Sequence, residues 1–146
     1  MNGHGMYFNG LMTAREIELG WRLDNALVTL SGCQTGTGPA TIYGESIGFY
    51  QAFLRAGART LVASLWKVDD AATALLMERF YENLTGSYLP ARAGFAGVPM
   101  PAVAALREAK IWLREYTDAG GRQPFAHPVY WAAFILIGDP DWKLSK

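Results

Sequence analysis

The chain has 146 residues, of which 51% are hydrophobic, enough for one domain with a buried core and too few for more. Thirteen basic residues balance thirteen acidic ones, so charge gives no reason to expect a nucleic acid or an anionic membrane as partner. The single cysteine excludes an internal disulfide and leaves a thiol that keeps best in a reducing compartment, which makes the cytoplasm the expected location.

In chain order, Met1-Asn2-Gly3-His4-Gly5 lacks the basic-then-apolar form of a secretory signal. Thr13-Ala14-Arg15-Glu16 has capping-box spacing and predicts a short helix running to about Leu19. Ala26 to Leu30 is a short apolar run with β-branched members and reads as a buried strand. Gly32 to Pro39, with its glycines, threonines and proline, reads as a loop. From Gly44 to Ala56 apolar residues recur at helical spacing, and Gly57 supplies a stop. Arg59 to Trp66 is the second strand, after which Asp69 or Asp70 caps a helix with Leu76, Phe80 and Leu84 as its core stripe. The stretch 86–101, rich in Gly and Pro, is expected to be a surface insertion. Ala102 to Tyr116 is a further amphipathic helix with Val103, Leu106, Ala109 and Leu113 inward. Val129 to Ile137, the most apolar run, is expected to be the last buried strand. No uninterrupted apolar run of about 18 residues reads as a transmembrane helix, so no membrane partner is expected.

The order strand, helix, strand, helix, helix, strand describes a layered α/β fold with a mainly parallel sheet and helices on both faces. Residues 1–146 form part of a single domain, with no repeat or linker. Only three strands are read, and they leave a sheet edge open that a complete domain would pair or cover. The N-terminal strands of the sheet are therefore expected to be missing from this chain.

In open α/β sheets reactive groups gather just beyond the carboxyl ends of strands, and Cys33 follows the run ending at Leu30-Ser31. Gly32 and Gly36 let the backbone turn sharply and present N–H groups near the sulfur, an oxyanion-hole arrangement. A lone cysteine also serves as a small buried hydrophobe, and position alone does not separate the two roles.

The surrounding residues carry more. Leu27-Val28-Thr29-Leu30-Ser31-Gly32-Cys33-Gln34-Thr35-Gly36 resembles the "LVxLSACxTG" segment of CHAT domains, a caspase-like family often found behind tetratricopeptide (TPR) repeats. Gly44-Glu45-Ser46-Ile47-Gly48 through Ala58-Arg59 is similar to the family's next helix and turn. Val62-Ala63-Ser64-Leu65-Trp66-Lys67-Val68-Asp69-Asp70 resembles its "VASLWxVDD" strand end. Phe80-Tyr81-Glu82-Asn83-Leu84, His127-Pro128-Val129-Tyr130-Trp131 and Ile137-Gly138-Asp139 continue it in order. The resemblance implies a caspase-like fold and a Cys–His dyad peptidase, in which Cys33 is the nucleophile and its N–H, with Gly32 giving room, helps hold the oxyanion. It implies a protein or peptide substrate and a TPR or other regulatory domain as partner. It calls for no metal and no cofactor.

The family's histidine stands in a His-Gly pair after an apolar strand, and here His4-Gly5 is the sole such pair. Two readings stay open: His4 is the dyad base, or the pair is coincidental and the base lies upstream of Met1. Tyr7 to Ile17 resembles the turn and helix between the family's dyad residues, and no apolar strand precedes His4, which favours the second. On that reading the isolated chain is inactive. His127 is expected to hydrogen-bond a turn rather than serve as base. Asp69 and Asp70 sit at the site end of the sheet, where one can cap the helix while the other, Asp70 by preference, faces a basic substrate residue. Glu45 is a further carboxylate near the site. Gly32 and Gln34 replace the more usual Ala and Glu without removing a chemical role. The alternative function is a non-catalytic interaction or signalling module that keeps the fold. An unrelated hydrolase with a cysteine nucleophile ranks below both, because the glycine that a nucleophile elbow places two residues earlier is absent.

Overall fold

The structure is a computed structural model that describes residues 12–30, 44–87 and 97–144, with side chains in the second stretch from residue 48. Helix α1 (Ala14–Gly20) opens on the expected capping box. Glu16 N–H donates to Thr13 Oγ1 at 3.2 Å, and Thr13 N–H donates to Glu16 Oε2 at 2.8 Å. Strand β1 (Leu27–Leu30), helix α2 (Gly44–Arg55), strand β2 (Thr60–Ser64) and helix α3 (Asp70–Thr85) come next, in the order read from the sequence. Helix α4 (Ala102–Glu115), a 3-10 turn at Pro128–Tyr130 and strand β3 (Phe134–Gly138) complete it.

The sheet has the order β1-β2-β3. β1 and β2 are parallel, in register from Leu27↔Thr60 to Leu30↔Ala63. β3 runs antiparallel to β2, from Ser64↔Phe134 to Thr60↔Gly138. Topology explains both senses. One helix between β1 and β2 returns the chain to the end it left, which gives a parallel pair. Two helices between β2 and β3 make one pass more and deliver the chain to the opposite end, so the pair is antiparallel. Among the described residues β1 pairs with β2 alone.

Alternation along the strands divides the core into two layers. Val28, Leu30, Leu61 and Ile137 face α1 and α2, where Ile17, Ala52 and Phe53 are buried. Leu27, Val62, Phe134 and Leu136 face α3 and α4, where Leu76, Phe80, Leu84, Leu106 and Leu113 are buried. Helices thus cover both faces, and the architecture is α/β.

Three details differ from the sequence reading. The last apolar run is not strand throughout: Pro128–Tyr130 forms the 3-10 turn, and strand begins at Phe134. Pro128 has its φ fixed and no N–H to offer a ladder, so it suits the first position of a helical turn and not a strand interior. On α4 Val103 points outward, 45% exposed, while Ala102 and Ala105 join Leu106, Ala109 and Leu113 in the core. The small residues let α4 approach α3 closely at a phase the larger Val103 would have spoiled. The third is a buried ionic cluster. Arg79, its side chain 3% exposed, donates from Nε and Nη2 to the two oxygens of Glu108, both at 2.9 Å. Asn83 Nδ2 donates to Glu108 Oε2 at 2.6 Å and to the Ala105 carbonyl at 3.0 Å. These charges fix the α3–α4 register.

Of the expected insertion, residues 88–96 lie outside those described. Its ends are anchored. Gly86 closes α3 in the left-handed conformation (φ 75°), and Met100 is buried with its N–H donating to the Asn83 carbonyl at 2.9 Å.

Candidate active site

Because β1 and β2 are parallel and in register, the chain leaves Leu30 and Ser64 at one end of the sheet. β3 enters at that same end, at Phe134. Three stretches of chain therefore leave or enter at that end: the exit from Leu30, the 65–70 link into α3, and the 127–133 link into β3.

The second and third are joined. Leu65 N–H donates to the Ala133 carbonyl at 2.9 Å, and Trp66 Nε1 donates to the Val129 carbonyl at 3.0 Å. Val68 is buried and pins the link to the core. Asp69 is the N-cap of α3, its Oδ1 accepting from Ala72 N–H at 3.0 Å. Asp70 occupies the first helical position, exposed, and makes no hydrogen bond or ion pair among the described residues. The sequence leaves open which of the two caps; the structure gives the cap to Asp69 and leaves the Asp70 carboxylate in solvent.

His127 is exposed and caps the 3-10 turn: its Nδ1 accepts from Val129 N–H at 3.2 Å. That bond engages the Nδ1 edge of the ring with the turn. The expected turn-bonding role is the one observed.

Cys33, Gly32 and His4 lie outside the described residues. Glu45 falls in the first turn of α2, and its side chain lies outside them too. Cys33 follows Leu30 by three residues, which ties it to the convergent end by chain connection. Among the described residues no cluster of His, Cys, Asp and Glu could hold a metal ion, and no helix is long and apolar enough to cross a membrane.

The Trp66–Val129 bond is invisible to a sequence reading. Trp66 is legible there as the last residue of a strand and as part of the resemblance at residues 62–70, but nothing in the sequence pairs it with a residue 63 positions on. The aromatic series Trp112–Tyr116–Phe125–Tyr130, with successive centroids 5.5, 5.9 and 5.4 Å apart, is hidden for the same reason. That series ties the end of α4 to the 3-10 turn and holds the third segment in place.

The family model for the CHAT domain matches residues 3–139. The chain belongs to the CHAT domain family. The chain is similar to tetratricopeptide repeat protein 28 of Mus musculus and of Homo sapiens, each 33% identical over 136 residues. The match covers 93% of this chain but 5% of either relative. No solved structure matches the chain significantly. The CHAT family is caspase-like, and the match takes in the convergent sheet end, Ser64 to Asp70 included.

Proposed function

We propose that this CHAT domain is the nucleophile-bearing part of a caspase-like cysteine endopeptidase, working in the cytoplasm on a protein or peptide substrate. The observation that supports the reading is the parallel register of β1 with β2, because Leu30, three residues before Cys33, and Ser64, which leads to Asp69 and Asp70, finish at the same end of the sheet. Cys33, as thiolate, attacks the scissile carbonyl, and the Gly32-Cys33 backbone receives the oxyanion. The dyad base passes the thiol proton to the leaving amine, and water then hydrolyses the thioester. That base is His4 or a histidine ahead of Met1 in a longer natural chain. Asp70 pairs with a basic residue before the cut, Asp69 holds the helix start, and Glu45 adds a second carboxylate nearby. TPR repeats or another regulatory domain in the natural protein control access.

One observation favours the second reading, a non-catalytic interaction module. His127, the one described histidine, spends its Nδ1 on the turn cap, which favours a structural role over that of a base. The relatives, moreover, are named for repeats and not for a reaction.

The deciding experiment uses the full-length natural protein and internally quenched peptides bearing arginine before the cut. Cleavage is expected, and Cys33→Ala abolishes it. Asp70→Asn lowers kcat/KM for arginyl peptides by about ten-fold or more, the scale of one lost charge-assisted pair. Absence of Cys33-dependent cleavage overturns the peptidase reading and leaves the interaction module. This chain alone is expected to leave the same peptides uncut.

A further inference from the structure

The convergent end holds an apolar surface that packing does not explain. Trp66 is 39% exposed and Val129 44% exposed, although both belong to segments anchored in the core. A tryptophan kept only to fill the interior would be buried, and an exposed one left without purpose would be free to move. Trp66 does neither. Its indole N–H is committed to the Val129 carbonyl at 3.0 Å, and the preceding residue is held by the Leu65 N–H bond to the Ala133 carbonyl at 2.9 Å. An apolar face is thus presented to solvent in a fixed orientation, which lowers the entropy lost when a ligand covers it.

Charge close to Trp66 in the chain bears on the occupant of that face. Asp69 and Asp70 come shortly after Trp66, both exposed, against one intervening cation, Lys67. Buried Val68 keeps the span between Trp66 and Asp69 from swinging away. A ligand spanning both features carries an apolar side chain next to a basic one.

We infer that Trp66 and Val129 form the wall of a specificity subsite for a leucine-like or aromatic side chain adjacent to the basic residue of an extended peptide. The inference rests on the peptide-directed reading of the site and names which peptides it takes. Trp66 binds the flanking residue; Asp70 binds the basic one.

The test is a matched set of internally quenched peptides with one arginine, flanked on either side in turn by Leu, Phe, Ala or Asp, given to the full-length protein. Leu and Phe are expected to exceed Ala by about ten-fold in kcat/KM on one side of the arginine, the scale of one apolar pocket. Trp66→Ala brings that ratio to about one, Val129→Ser reduces it, and Trp66→Phe keeps most of it. A ratio is insensitive to partial unfolding, since both peptides see the same folded fraction. In parallel the Cys33→Ala protein is titrated with the same peptides by fluorescence anisotropy, where the same order of affinities and the same Trp66 dependence are expected. Cys33-dependent cleavage with a ratio indifferent to Trp66→Ala and Val129→Ser overturns this inference and leaves the peptidase reading intact. Trp66-dependent binding without any cleavage overturns the peptidase reading and supports the subsite. Neither binding nor cleavage overturns both.

Discussion

The two ends of the sheet are built on opposite plans. At the end where β1 and β2 begin, polar groups are spent on one another. Asp139 accepts from Arg59 Nε at 3.0 Å, its N–H donates to the Arg59 carbonyl at 3.0 Å, and its carbonyl accepts from Thr60 Oγ1 at 2.7 Å. Trp142 Nε1 donates to the Asn25 carbonyl at 2.8 Å, and Ala102 N–H to the Trp142 carbonyl at 2.8 Å. These bonds tie each passing segment to another. At the end where β1 and β2 finish, bonds hold the frame too and Asp69 spends an oxygen on its cap, while Asp70, Trp66 and Val129 are exposed. The contrast sets a seam closed by bonds between segments, with Asp24 and Asp141 exposed beside it, against an end that agrees with the proposed site.

The closed seam should be the more fragile under substitution. Gly138 has φ 104°, and an added Cβ would collide with the Arg59 carbonyl. Gly138→Ala is expected to cost about 3 kcal/mol or more, since it combines an unfavourable backbone conformation with a clash against backbone that cannot yield. Urea unfolding measures it. Gly48→Ala is the internal control: it lies within α2 with open space around it, and should stabilise by about 0.5 kcal/mol. Equal effects at the two glycines would mean that the seam is not closed as described.

The range of each interaction decides how much of this is legible in the sequence. Local signals are legible where the physics is local: the Thr13–Glu16 box, the Gly57 stop, and a cap at Asp69 or Asp70 all depend on residues a few positions apart. The α/β class is legible from the alternation of elements, and the antiparallel sense of β3 is implicit in the two helices that precede it. Pro128 also speaks against strand at the start of the last apolar run, a signal outweighed by the hydrophobicity of residues 129–137. Pairing at a distance is what a sequence does not carry. Arg79 with Glu108 and Trp66 with Val129 are each unremarkable alone, and only the folded chain gives them partners. The proposed site is legible as a place, the end of β1 and β2, and through the resemblance that gives Cys33 its expected role; the Trp66–Val129 bond is not.

The end proposed as functional should tolerate change in stability while losing the proposed specificity. Asp69→Ala removes the acceptor for Ala72 N–H and is expected to cost about 1 kcal/mol, whereas Asp69→Asn keeps an acceptor and costs little. Asp70→Ala forfeits only a favourable position near the helix start and should cost a few tenths of a kcal/mol, about 0.3. A stability loss at Asp70 as large as at Asp69 would assign it a structural role and weaken its place opposite a basic substrate residue. Thermal unfolding of the three variants, set beside their arginyl-peptide kcat/KM, separates the two functions of this acidic pair.

The smallest expected effect distinguishes the ends by acid. The Asp139 carboxyl is held below the usual carboxylate range, chiefly by the hydrogen bond from Arg59 and then by the Asp141 N–H, which donates to it at 3.0 Å. Glu16 and Asp118 are lowered in the same direction, by bonds from Thr13 and from the Arg122 backbone. A carboxylate whose folded pKa is depressed binds fewer protons than its unfolded counterpart. Its contribution is present above the unfolded value of about 4 and is lost as pH falls through the lower folded value. Stability should therefore decline below about pH 4, with part of the slope belonging to the seam. Asp139→Asn keeps a carbonyl acceptor but no longer titrates, so it should flatten that acid limb while leaving the neutral-pH plateau slightly lower. Urea titrations from about pH 2 to about pH 7 on the two proteins give the slopes directly. An unchanged acid limb would show that the Arg59–Asp139 pair contributes nothing to closing the seam.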